Sequence, residues 1–182
     1  MASKKIYKLY IILMVMCLSA LVYTLAVMVY AYGFNKLDPQ RYTRINLNVP
    51  TIRYTITKEE AKEFVKKLYN TPHFYIETDQ LPTTRYAECS VILRTVKIKK
   101  NLNIVDYVTS YAHELTHLKY LYADETLTTF KAFVVLYESG NEEIRNMALR
   151  DAQSIIYGAF KGTDYDCGHH IIQYLQDSGY FN

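Results

Sequence analysis

The residues best suited to chemistry are His113, Glu114 and His117, which stand in the run His113-Glu114-Leu115-Thr116-His117. Two histidines four apart on a helix project from the same side, one turn apart. Both imidazoles can then reach a single metal at the ~2.0–2.1 Å of zinc–nitrogen bonds. Glu114 points toward the same cleft but is set off from the metal, where it can take a proton from an activated water and hand it to a leaving amine. A Zn2+ ion there would lower the pKa of that water to ~7 and polarise a scissile carbonyl. A catalytic zinc also needs a third protein ligand and an open position. The acids downstream are Asp124, Glu125, Glu138, Glu142 and Glu143. Glu125 opens the next expected helix after the short turn Tyr122-Ala123-Asp124, and a tight helix–turn–helix folds such a residue back over the metal. Asp124 suits the helix cap better. Glu138 comes thirteen residues after Glu125, about 220° round the helix, so both cannot face one metal. The order of expectation is Glu125, then Glu138, then Asp124.

The motif needs a helix to carry it. Asn103 is the expected N-cap, with Asp106 three residues on, and the helix should run to about Tyr122. Ile104, Val108, Tyr111, Leu115, Leu118 and Tyr122 form one apolar stripe at 3.6-residue spacing. His113 and His117 fall opposite it with Asp106 and Ser110, facing whatever cleft lies above. Further helices are expected from Asp124 to before Gly140, from the Asn141 cap to about Phe160, and from about Tyr165 to Gln176, with Gly162-Thr163-Asp164 as a break. Upstream, Pro50–Thr57 alternates with period two and reads as a strand. Thr57-Lys58-Glu59-Glu60 is a capping box for a helix with Ala61, Phe64, Val65 and Leu68 on its apolar face, ended by Asn70-Thr71-Pro72. His73–Glu77 and Tyr86–Ile98 read as two strands, the lysines of the second marking a solvent-facing edge. The layout of a few strands followed by helices is α+β.

The apolar residues are unevenly spread. Between Leu9 and Phe34 there is no charge, and a helix of ~20 apolar residues crosses a bilayer core. The run exceeds the ~7–15 residues of a signal-peptide apolar region and no small-x-small cleavage site follows it. The expected organisation is therefore a transmembrane anchor over 1–34, a linker over 35–49 and a domain over 50–182, with residues 6–34 in contact with lipid. Lys4, Lys5 and Lys8 precede the span and Lys36, Arg41 and Arg44 follow it; the positive-inside bias leans toward an outward, extracytoplasmic domain. There Cys89 and Cys167 would be able to pair, or stand as unrelated core thiols.

His-Glu-x-x-His followed by Asp124-Glu125-Thr126-Leu127-Thr128-Thr129-Phe130-Lys131-Ala132-Phe133 and Leu136-Tyr137-Glu138-Ser139 resembles a group of bacterial membrane zincins of the short gluzincin type. The resemblance covers residues 84–140. It implies a minimal zincin-like fold, one Zn2+, Glu125 as third ligand, and hydrolysis of a peptide or protein substrate; it implies no particular substrate. Many members of that group have several transmembrane helices, against one here. The metzincin pattern is excluded, because its Gly and His positions are Tyr120 and Ala123. In gluzincins a later Tyr or His stabilises the oxyanion, and Tyr157, Tyr165, His169 and His170 are the candidates. In zincins generally an edge strand before the active helix binds extended peptide; Arg94–Lys99 is placed for that.

Other residues have plainer readings. Thr128 and Thr129 either support a metal ligand or pack as ordinary helix residues. His169-His170 reads as a surface pair, and His73 as structural. A net charge of +3, with no basic run interleaved with aromatics, excludes nucleic-acid binding. A second class stays open beside the peptidase: a membrane-tethered zinc-binding regulatory module without turnover.

Overall fold

The structure is a computed structural model that describes residues 2–35, 45, 47–121, 123–158 and 163–181. It divides into two compact units, Met1–Leu37 and Asp38–Asn182. The first is one helix, α1 (Ala2–Asn35), within which Tyr10–Met28 is long and apolar enough to cross a membrane. None of this 19-residue window is buried against other protein. The expected linker falls mainly on residues 36–44 and 46, which lie outside the described residues.

The second unit is α+β. Among its described residues it has five helices, α2 (Lys58–Tyr69), α3 (Ile104–Lys119), α4 (Glu125–Tyr137), α5 (Glu142–Ile156) and α6 (Gly168–Asp177). They pack with a sheet of β1 (Phe74–Thr78), β2 (Ala87–Ser90) and β3 (Thr95–Lys99). The strand order is β1-β3-β2, with β1 parallel and β2 antiparallel to β3. Period-two alternation sends Val96 and Ile98 into the core while Lys97 points out and pairs with Glu88 at 2.8 Å.

The capping box of α2 forms as expected: Thr57 accepts from the Glu60 N–H, Glu60 accepts from the Thr57 N–H, and Asn70 ends the helix at φ 46°. Ala61 and Val65 are buried, with Phe64 and Leu68 packed beside them. Asn103 caps α3 by accepting from the Asp106 N–H. Val108, Tyr111, Leu115 and Leu118 are buried as the stripe requires, whereas Tyr122 lies outside the described residues.

Four expectations are corrected. Pro50–Thr57 is extended but pairs with no strand. Its inward residues Ile52, Tyr54 and Ile56 give the alternation, and its backbone bonds go to side chains of α5: Glu143 accepts from the N–H groups of Thr55 and Ile56, and Asn146 donates to the Pro50 carbonyl. Tyr86–Ile98 is a hairpin rather than one strand, broken at Val91–Arg94 where Arg94 takes φ 48°. β3 is consequently the central strand, so the lysine-bearing segment is not an edge; β1 and β2 are. Helix α5 stops at Ile156 because Gly158 adopts φ 94°, and α6 begins at Gly168, three residues later than Tyr165. The expected helix end at Phe160 lies outside the described residues.

Asp151 of α5, half-buried, lines a cleft between α5 and the start of α3 together with Asp106. Burial, together with the negative charge of Asp106, raises its pKa to about 6. The folded state therefore binds this proton more tightly than the unfolded chain, and its contribution to stability is lost as pH rises from about 4 through 6. Asp151→Asn is expected to raise stability at pH 7 by on the order of 1–2 kcal/mol and to leave it unchanged near pH 3. Denaturant midpoints at the two pH values check this.

Candidate metal centre

The site is built on an α-helical hairpin. The α3 helix ends at Lys119, and the Tyr120 N–H still bonds the Thr116 carbonyl at 2.8 Å. The chain then reverses with an Ala123 N–H to Tyr120 carbonyl bond of 2.9 Å. Asp124 caps α4, its Oδ1 accepting from the Leu127 N–H at 2.8 Å. The cap role removes Asp124 as a ligand and makes Glu125 the first residue of α4. A carboxylate in that first turn is favoured by the helix dipole.

Glu125 folds back onto the two histidines. Its Oε2 lies 2.9 Å from Nε2 of His113 and 3.2 Å from Nε2 of His117, and the two Nε2 atoms are 3.1 Å apart. Donors bonded to one tetrahedral zinc at ~2.0–2.1 Å stand ~3.3 Å from one another, so the triangle is within a few tenths of an ångström of the required size. Two imidazoles and a carboxylate are also the donor set of catalytic zinc sites. The side chains stay 15%, 19% and 35% exposed, in the order His113, His117, Glu125, so the cluster is accessible to solvent. His113, His117 and Glu125 form the one group of this kind among the described residues. Glu138 is elsewhere, at the C-terminal end of α4, accepting from the Tyr174 hydroxyl.

Two threonines stand behind the imidazoles. Thr128 Oγ1 is 3.4 Å from Nδ1 of His117, and Thr129 Oγ1 is 3.3 Å from Nδ1 of His113. Both distances are long for hydrogen bonds, yet each histidine has its own hydroxyl on the ring nitrogen that faces away from Glu125. With a metal in place of the Glu125 hydrogen bonds, each hydroxyl would accept from an Nδ1–H and leave the Nε2 lone pair for the ion.

Electrostatics separate the two carboxylates. Hydrogen bonds from His113 and His117 hold the Glu125 carboxyl far below the usual range. Burial disfavours a charged His117, but the bond to Glu125 and its charge outweigh this and raise the imidazole pKa. Glu114 is buried, 8% exposed, on the side of α3 that meets β2. Burial raises its pKa, opposed by the nearby charge of His113 and by the Cys89 thiol. That thiol is itself pushed up to about 12 by burial and by the Glu114 charge, so it remains a neutral donor. Cys89 has no signature in the sequence that ties it to Glu114; only the pairing of β2 with β3 in the register Cys89↔Val96 puts it on the inner face.

Of the four oxyanion candidates, the structure brings one to the site. The Tyr165 ring lies 5.7 Å from that of His113, on a turn tied to α4 by the Thr126 hydroxyl donating to the Asp164 carbonyl at 2.6 Å. Burial and the charges of Glu125 and Glu114 raise the Tyr165 pKa, keeping the phenol protonated. Tyr157 is at the end of α5 in a different cleft. His169-His170 is not a surface pair: His170 is 4% exposed, with its ring 5.7 Å from Phe130. Burial, with the neighbouring His169, lowers its pKa to about 4. His73 is structural as expected, bonded to the Thr71 carbonyl and the Tyr111 hydroxyl. Cys89 and Cys167 are separate free thiols.

Purified protein is expected to bind one zinc per chain. Glu125→Ala and His117→Ala should abolish stoichiometric binding, whereas Glu138→Ala should leave it intact. Thr128→Val and Thr129→Val should each weaken the affinity by about 10-fold. Competition with a chromogenic chelator measures all of these, and unchanged affinity in the valine variants would reduce both threonines to packing residues.

Comparison with models of known families, with curated proteins and with solved structures finds no match.

Proposed function

We propose that this chain is a membrane-anchored zinc peptidase, with α1 as the anchor and the unit Asp38–Asn182 as an extracytoplasmic catalytic domain of zincin-like type. The observation that carries the reading is the convergence of His113 Nε2, His117 Nε2 and Glu125 Oε2 to within about the spacing of a tetrahedral zinc site. Glu114 supports catalysis over storage, since a purely structural metal site has no need of a buried carboxylate one residue from a ligand.

When bound, zinc supplies Lewis acidity to the substrate carbonyl and to a water molecule. The chain's own residues do the rest. Glu114 accepts a proton from the water whose oxygen adds to the carbonyl carbon. It then returns that proton to the nitrogen as the C–N bond breaks, leaving a carboxylate and an amine. Its raised pKa suits it to both halves of that exchange. Tyr165, its ring 5.7 Å from that of His113, is the residue we assign to donate to the oxyanion of the tetrahedral stage. Substrate would lie on β2, whose second edge is unpaired among the described residues and whose Cys89 adjoins Glu114. Strand addition supplies the backbone bonds for an extended peptide there. On this reading the substrate lies on β2 instead of the Arg94–Lys99 segment.

Glu114→Gln is expected to keep full zinc and lose hydrolysis of a peptide library by about 100–10,000-fold. Tyr165→Phe should lower kcat about 100-fold with little change in KM. The alternative, a tethered zinc-binding regulatory module, would be established by a fully loaded, unmutated protein that cleaves no peptide under any condition.

A further inference from the structure

The hairpin turn between β2 and β3 carries three consecutive apolar residues turned to solvent. Ile92 is 93% exposed, Leu93 69% and Val91 40%. Phe74 is 73% exposed and stands in register with Thr95, the residue that follows the turn, so it joins the same end of the sheet. The turn is an ordered structure. Ser90 Oγ accepts from the Leu93 N–H at 3.2 Å, the Thr95 hydroxyl donates to the Leu93 carbonyl at 3.2 Å, and Arg94 Nε donates to the Pro72 carbonyl at 2.8 Å. The Phe74 N–H donates to the Arg94 carbonyl at 2.8 Å. These bonds fix a backbone shape that directs the Ile92 and Leu93 side chains into water instead of onto the core. A contiguous exposed apolar patch of this kind marks an interaction site.

Arg94 stands in the turn itself, while the acid nearest the tip on β2, Glu88, is paired with Lys97. Residues 70–76 and 89–95 contain no Asp or Glu; their ionisable groups are His73, Tyr75, Cys89 and Arg94. Lys66 and Lys67 occupy the last turn of α2, before this stretch in the chain, Lys66 paired with Glu63 at 3.7 Å. A protruding apolar tip with a cationic flank matches the boundary between lipid headgroups and acyl chains, anionic headgroups above all. A protein partner fits less well, because four side chains fall short of the ~800 Å2 per partner that a stable interface buries. We propose that the Val91–Leu93 tip, with Phe74 beside it, inserts into the headgroup region of a phospholipid bilayer. The inference rests on the bilayer anchorage proposed above, since a covalently anchored unit meets lipid at high effective concentration.

The sequence has no tryptophan, so one introduced indole reports without background. Ile92→Trp and, independently, Leu93→Trp in the full chain are reconstituted into phosphatidylcholine–phosphatidylglycerol vesicles with or without brominated acyl chains. The control is Gln176→Trp at an exposed position of α6. Thermal unfolding close to that of the unmutated chain confirms the fold of each variant. Insertion predicts blue-shifted emission at positions 92 and 93 that brominated lipid at least halves, with no change at 176. Solvent-like, unquenched emission from both tip variants overturns the inference. If that protein also resists carbonate extraction, the anchorage stands and only the tip proposal fails. Extraction by carbonate sinks the anchorage instead, and quenching at 92 and 93 by added vesicles still decides the tip. A blue shift that brominated lipid leaves unquenched identifies a protein surface or a second copy at the tip, which also overturns lipid insertion.

Discussion

The contact between Glu125 and the two imidazoles is the constraint on which the candidate site depends. One carboxylate oxygen sits within 3.2 Å of two Nε2 atoms, and it reaches them only because α4 starts five residues after Tyr120. The Tyr120–Ala123 backbone bond and the Asp124 cap fix that reversal to within one residue. The same helix start then sets Thr128 and Thr129 one turn along, each beside a different imidazole. Thr126, on the other side of that turn, holds the segment that carries Tyr165. Five of the side chains at the site are thereby indexed to where α4 begins.

The helical hairpin needs a platform, and α3 provides it by being buried on most of its circumference. Tyr107, Val108, Tyr111, Ala112, Leu115 and Leu118 join the core, while Thr116, also fully buried, bonds the Tyr69 hydroxyl of α2 at 2.8 Å. Glu114 is carried inward by the same packing, against β2. A buried carboxyl is costly unless it is neutral or paired, and the structure answers with a thiol and nearby imidazoles instead of a cation. The position is thus held at some expense of stability. Asp151 is a second case on α5, with its pKa raised for the same reason.

Local signals carried much of this into the sequence. The caps at Thr57, Asn103, Asp124 and Asn141 are side chains bonding to backbone groups three residues away, so position in the chain alone identifies them. His113 and His117 are legible for the same reason: helical spacing makes them neighbours. Glu125 followed from the turn length. What failed depended on distant partners. Pro50–Thr57 has strand-like alternation, but Glu143 and Asn146, about ninety residues away, occupy its backbone where a strand would be needed. The hairpin at Val91–Arg94 was hidden because Val, Ile and Leu favour strands, and nothing local announces that they face solvent. Tyr165 could not be told from Tyr157, since only the loop's attachment to α4 distinguishes them.

The two carboxylates of the site are of one chemical type and lie eleven residues apart, yet their environments drive them in opposite directions. Glu125 is 35% exposed and ringed by cation-capable nitrogens, which hold it ionised. A bound divalent cation supplies positive charge in the same place, so the direction survives metal binding. Glu114 is enclosed by helix, strand and thiol, which favours its protonated form. In the proposed reaction a ligand must stay an anion, whereas a proton shuttle must both hold and release a proton. Exchanging the two roles would therefore require exchanging their surroundings: a solvent-open Glu114 would be too weak a base, and an enclosed Glu125 would bind metal only by giving up a proton. The proposed division of labour between them follows from which face of the helical hairpin each one occupies.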